Sequence, residues 1–129
     1  MRVALAVTVL RIGVRNRNGR TYTREAVEGA VASAPELITG KLGMDYDPDA
    51  PGNDCREVTH TCSNLRVEGD RLVADILFRD TVEGRMLESS FRAGNHLFRT
   101  ASFAARIVDG TIHEFRLSSV NAVIATNAS

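Results

Sequence analysis

Two tight-turn signals in the second half of the chain constrain the fold most. Asp109-Gly110 is a strong two-residue turn and sits between two long runs rich in apolar residues. Glu68-Gly69-Asp70 does the same for an earlier pair of runs. They predict two hairpins, one with strands over 57–67 and 71–78 and one over 97–108 and 111–125. Along 71–78, Leu72, Ala74, Ile76 and Phe78 alternate with Val73, Asp75 and Leu77. That period of two puts one face of the hairpin on a core.

The remaining segments fit around this β framework. Residues 3–10, rich in Val and Leu, read as a first strand, and Asn16 to Gly19 as a turn. Thr23 can cap a helix, with Glu25 near its positive end. Ala26, Val27, Ala30, Val31 and Ala34 then recur at helical spacing, and Pro35 fits a helix ending just before it. Residues 82–93 form a second helical pattern, with Val82, Met86, Leu87, Ser90 and Phe91 as its stripe and Gly94 at its C-terminal cap. Residues 40–55, which hold two of the three prolines and four acidic residues, read as a surface loop and the most mobile segment. The expectation is one α+β domain over 1–129. It is a mainly antiparallel sheet curling toward a barrel, its apolar face covered by two flanking helices.

Composition excludes several function classes. The chain carries 16 basic and 16 acidic residues, so it lacks the charge of a general nucleic-acid binder. Its aromatic residues are two Tyr and five Phe, with no Trp, too few for a base- or sugar-stacking platform. No apolar run approaches the roughly 18–20 residues of a membrane span, so no membrane partner is expected. The start MRVALAVTVL is apolar but short and turns arginine-rich from Arg11, which reads as the first strand of a soluble intracellular protein. Two cysteines are too few for a disulfide scaffold.

Chemistry could sit at several places. The strand Glu57-Val58-Thr59-His60-Thr61-Cys62 puts His60, Cys62, Asn64 and Arg66 on what reads as its polar face, and Thr61, Ser63, Leu65 and Val67 toward the core. With Glu68-Gly69 as the turn, Cys62 pairs with Asp75, and Asp75 becomes a diagonal neighbour of His60 at roughly 7–8 Å. There it could fix the imidazole tautomer. With Gly69-Asp70 as the turn, Asp75 faces Asn64, an ordinary polar residue on a solvated face. Ser102 sits among small residues in Arg99-Thr100-Ala101-Ser102-Phe103-Ala104-Ala105-Arg106, which leaves room for a carbonyl carbon and for backbone N–H donors. No G-x-S-x-G motif surrounds it, and a lone strand serine is more often a filler. In the last hairpin Ser102 should face Leu117 and His113 should face Arg106, which leaves His113 roughly 13 Å from Ser102. The carboxylates of 40–55 do not follow EF-hand spacing. Cys55, His60 and Cys62 with Asp54 could be imagined around zinc, but C-x4-H-x-C is not a standard zinc spacing. Neither metal nor other cofactor is expected.

An ordered set of segments carries a family likeness. It runs through Asn18-Gly19-Arg20-Thr21-Tyr22, Gly40-Lys41-Leu42-Gly43, Val58-Thr59-His60, the stretch from Leu65 to Phe78 with Asp80-Thr81 and Gly84, Phe91-Arg92-Ala93-Gly94, Ala101-Ser102-Phe103-Ala104, and Leu117 to Thr126. In these the chain resembles the tailed-phage prohead proteases, serine endopeptidases that mature procapsids and are structurally akin to herpesvirus assemblins. The resemblance implies Ser102 as nucleophile, His60 as general base and Asp75 or His113 as the group orienting His60. Backbone N–H groups near Phe103 and Ala104 would hold the oxyanion, helped by Arg106. It further implies phage major capsid and scaffolding proteins as partners, self-association, and a place in the host cytoplasm within or on the assembling head. Two motifs depart from the family's pattern. Met44-Asp45 stands where a His-Pro pair is usual, and Asn121-Ala122-Val123 begins an ending that lacks the family's proline. The alternative they suggest is a catalytically inactive protease-fold protein retained as a structural capsid-associated component.

Overall fold

A computed structural model describes residues 3–16, 18–43, 58–94 and 96–124. In chain order the elements are β1 (Val3–Arg11), β2 (Thr21–Tyr22), α1 (Arg24–Ser33), β3 (Leu37–Gly43), β4 (Val58–Glu68), β5 (Arg71–Phe78), α2 (Val82–Arg92), β6 (His96–Val108) and β7 (Thr111–Ile124). The expected α+β class, both helices and both hairpins are present.

The strands form one sheet in the order β1-β5-β4-β3-β7-β2, with β6 paired to β7. Strands β1, β5, β4 and the first part of β3 are antiparallel neighbours. The last residues of β3, Leu42 and Gly43, then leave β4 and pair in parallel with Ala122 and Val123 of β7. So β3 is the seam between two halves of the sheet. The sheet curls, and β1 comes near β6. No ladder joins these two strands among the described residues, so the sheet is open where a barrel was expected. Strand β3 also corrects the loop assignment, because 40–43 are paired strand rather than loop; residues 44–57 lie outside the described residues.

The turns and caps have the chemistry their sequences dictate. Asp109 and Gly110 have φ of 50° and 79°, the left-handed pair that a tight hairpin of this twist needs. In the first hairpin Glu68 pairs with Arg71, so Gly69-Asp70 is the loop. The Thr23 hydroxyl accepts from the Ala26 N–H at 3.1 Å to start α1. Ala34, held extended at ψ 145° ahead of Pro35, ends it. Thr81 caps α2 through the Gly84 N–H at 3.0 Å, and Gly94 with φ 80° follows its end.

The core lies between the helices and the inner face of the curved sheet. Ala26, Val27 and Ala30 of α1 are buried in it, as are Leu72, Ala74, Ile76 and Phe78 of β5 and Phe115, Leu117, Val120 and Ala122 of β7. Helix α2 contributes a narrower face than its stripe predicts. Gly84 and Leu87 are buried and Phe91 packs against the core, whereas Val82 and Met86 are exposed. A Cβ on Gly84 would lie 2.2 Å from the Arg79 carbonyl oxygen, so the helix turns its smallest residue toward the preceding chain.

Candidate active site

The expected polar face of β4 is reversed at its first half. His60 pairs with Phe78 and Cys62 with Ile76, and all four are buried. The alternation is broken at Asn64, whose φ is 54°. From Ser63 to Arg66, β4 spends three residues against two on β5. This bulge lets His60 and Cys62 face inward before it and Leu65 and Val67 pack inward after it. A strand read with one unbroken period of two therefore gets one of its halves wrong.

His60 is fully buried at the seam. It pairs with Gly40 of β3, and its ring crosses that glycine to reach β7. The Nε2 lies 2.7 Å from the Val120 carbonyl oxygen. The Nδ1 lies 2.8 Å from the Thr59 hydroxyl. A carbonyl only accepts, so Nε2 carries the proton and Nδ1 accepts from Thr59. Phe98 meets the ring edge-on, with centroids 5.5 Å apart. Burial pushes the imidazole pKa down from 6.5 to about 4, against a smaller upward pull from the Val120 carbonyl. His60 is thus a neutral imidazole at neutral pH.

Ser102 stands on β6 opposite Leu117, the register read from the Asp109-Gly110 turn. Its relation to His60 runs through β7. Val120, which receives the His60 hydrogen bond, pairs with Thr100, two residues before Ser102. Facing residues of an antiparallel pair share a side of the sheet. Ser102 therefore falls on the side of buried Leu117, and strand alternation gives it the side of Phe98 and Thr100. This is the side on which His60 meets Phe98. Two strand positions are about 7 Å. Ser102 itself is exposed, and both ring nitrogens of His60 have other partners.

Beyond Ser102, β6 bulges. Phe103 pairs with Arg116 and Arg106 with Glu114, which leaves Ala104 and Ala105 against a single residue. Ala104 has φ of 51°, a left-handed conformation that costs a non-glycine residue about 1–2 kcal/mol. Such a bulge re-aims the peptide groups beside the serine. Arg106 is four residues on, about 13 Å along the strand, and its guanidinium pairs with Glu114 at 3.4 Å.

Asp75 does not reach His60. It pairs with Ser63, on the face opposite to buried Ile76 and Cys62. Its Oδ1 accepts from the Ala6 N–H at 3.0 Å and from Arg66 at 3.2 Å. Its Oδ2 accepts from the Asn64 amide at 3.1 Å. Ala6, with φ of 53°, sits in a matching bulge of β1. One carboxylate thus ties together the bulges on both strands flanking β5. The Ala6 N–H first, and then the Asn64 amide, hold it below the usual carboxylate range. His113 has no ladder partner between Ile112 and Glu114, at the far end of β7 from Val120. Of the imagined zinc set, Cys55 and Asp54 lie outside the described residues. Among those described, no group of three or more His, Cys, Asp or Glu is placed to hold a metal ion.

Sequence reasoning passed over Gly40, Thr59 and Val120, which set the state of His60. A glycine inside an apolar strand next to Ile38 and Thr39 was the available signal, since such a glycine marks close approach of another group.

With this geometry in place, one solved structure is informative. The structure of the bacteriophage T4 capsid assembly protease, gp21, aligns with this chain at a TM-score of 0.60, covering 94% of this chain and 90% of that one at 19% sequence identity. The two share a fold. The likeness to the T4 protease spans nearly the whole of both chains. No protein-family model and no curated protein matches the sequence.

Proposed function

We propose that this chain is a phage prohead maturation protease, a serine endopeptidase acting on capsid and scaffolding proteins during head assembly. One observation supports this reading above the others. In the fold of the T4 capsid assembly protease, His60 and Ser102 stand on the same side of the sheet, joined through Val120. Ser102 Oγ would attack the scissile carbonyl carbon while its proton passes to the unprotonated Nδ1 of His60. The N–H groups around Phe103 and the left-handed Ala104 would hold the oxyanion. Collapse of the tetrahedral intermediate would return the proton to the leaving amine, and water would release the acyl group by the reverse path. The T4 protease is named for capsid assembly, which makes major capsid and scaffolding proteins the partners to test and the assembling head in the host cytoplasm the place of action.

The reaction needs Nδ1 of His60, which Thr59 now occupies. Turning the Thr59 side chain away from the ring would free it. This same contact favours a second reading, a catalytically inactive protease-fold component of the head. An imidazole held at a pKa of about 4 is a weak base at neutral pH. Co-expression with the neighbouring capsid and scaffolding proteins separates the two, with products read by intact mass. The protease reading expects shortened products with the wild type and none with Ser102→Ala. No cleavage by either, with the chain co-sedimenting on assembled shells, overturns it in favour of the second.

A further inference from the structure

A serine–histidine pair is ordinarily completed by a side chain that accepts the second histidine proton and fixes the tautomer. Neither expected group does so here. Asp75 is on the other side of the sheet, and His113 is at the far end of β7. The proton on Nε2 goes instead to a main-chain oxygen, Val120 O, at 2.7 Å. The approach is possible only because residue 40 lacks a side chain. A Cβ there would lie 1.9 Å from Val120 O and 2.2 Å from His60 Nε2. On the other side of the ring, Thr59 is itself fully buried and its hydroxyl satisfies Nδ1 at 2.8 Å. Phe98 closes the edge of the ring. Among the described residues, the imidazole is held by a glycine gap, a carbonyl and a hydroxyl, with no carboxylate.

We propose that Gly40, Thr59 and the Val120 carbonyl form a positioning cradle for His60. The carbonyl orients the ring in its Nε2–H form, as the third side chain of a triad would, and the Thr59 hydroxyl is the gate on the basic Nδ1. The proposal rests on the reading of His60 as the general base. It explains how the ring can be fixed in one tautomer without any of the acids among the described residues beside it. A backbone acceptor carries no full charge, so it orients the ring while leaving the imidazole a weak base in the low-dielectric interior. Opening the Thr59 gate is then the step that exposes Nδ1 as an acceptor, since the hydroxyl otherwise holds its lone pair.

The test uses the whole chain labelled with 15N-histidine. Long-range proton–nitrogen NMR reads the protonation of each ring nitrogen against pH, with His60 assigned by His60→Gln. The wild type is expected to show Nε2–H, with Nδ1 unprotonated from neutral pH down to about pH 5. Thr59→Val should keep Nε2–H but leave Nδ1 without a donor, moving its nitrogen resonance downfield, and Thr59→Ser should restore the wild-type resonance. Gly40→Ala should shift the ring off Val120 and mix the tautomers; if that variant does not fold, the wild type and the two Thr59 variants carry the test. An Nδ1–H tautomer in the wild type, or an Nδ1 resonance in Thr59→Val identical to wild type, overturns the cradle. Cleavage assayed in parallel separates the two ideas. Cleavage by a wild type holding the other tautomer rejects the cradle and leaves the protease reading. The Nε2–H form in a chain that cuts neither capsid nor scaffolding protein rejects the protease reading, and the triad role of the carbonyl with it.

Discussion

His60 and Ser102 share one side of a curved sheet yet occupy opposite surroundings. His60 is sealed at the seam of β3, β4 and β7, with both ring nitrogens bonded and an aromatic wall. Ser102 lies on the exposed stretch of β6, next to a bulge that holds Ala104 left-handed. The difference teaches how such a site divides its labour. The histidine is fixed by core packing, so its geometry and the stability of the fold are one quantity. The serine is carried by a hairpin whose packing does not depend on it.

This contrast can be broken by mutation. The largest effect is expected at Gly40. Gly40→Val forces a branched side chain into the Val120 carbonyl and the His60 ring, and it should cost about 3 kcal/mol or more in urea unfolding. His60→Ala comes next, at about 2–4 kcal/mol, through a cavity and two orphaned buried partners. Ser102→Ala should stay within about 0.5 kcal/mol of wild type. For cleavage the order of the last two collapses, since loss of either residue should abolish it. A Ser102→Ala variant as unstable as His60→Ala would show that the serine is built into the core after all.

The same contrast gives a pH signature. His60 binds its proton at about pH 4 in the native chain, below the ordinary 6.5. Between those values the unfolded chain takes up a proton that the native chain does not. Stability is therefore full above about pH 6.5 and falls as pH is lowered toward 4, by up to about 3 kcal/mol. Urea midpoints measured across that window should slope downward in the wild type and flatten in His60→Gln. Equal slopes would mean the imidazole is reached by water in the native state.

The smallest functional effect is expected at Asp75. Its carboxylate joins the bulges at Ala6 and Asn64 on the outer side of the sheet. Asp75→Asn should lower the thermal midpoint, because the amide cannot accept all three donors, while cleavage persists. Loss of cleavage in a folded Asp75→Asn protein would return Asp75 to the site.

The sequence and the structure part company at bulges and at the seam. The two hairpins, the Thr23 cap and the stop before Pro35 follow local rules, and local rules read them well. The register of Ser102 against Leu117 followed from Asp109-Gly110 and holds because two bulges cancel, the extra residue of β7 at His113 being offset by the extra residue of β6 at Ala104-Ala105. In the first hairpin, the choice of Gly69-Asp70 was one of two open registers. The extra residue at Asn64 then shifted Asp75 onto Ser63, a pairing neither register contained. Asparagine tolerates a left-handed φ, yet nothing around Asn64 marks it as the position that uses that freedom. Strand β3 was hidden for a different reason. Its partners are 17 to 80 residues away, and it divides seven residues between two neighbours. No local periodicity encodes such a seam, and the environment of His60 is made there.

The central claim is that Ser102 is a nucleophile activated by His60. A fluorophosphonate probe tests it most directly, since it forms an adduct only with an activated serine, located by intact mass and peptide mapping. The account predicts a single adduct at Ser102, lost in Ser102→Ala and in His60→Ala. No adduct, or one on a different serine, would contradict it.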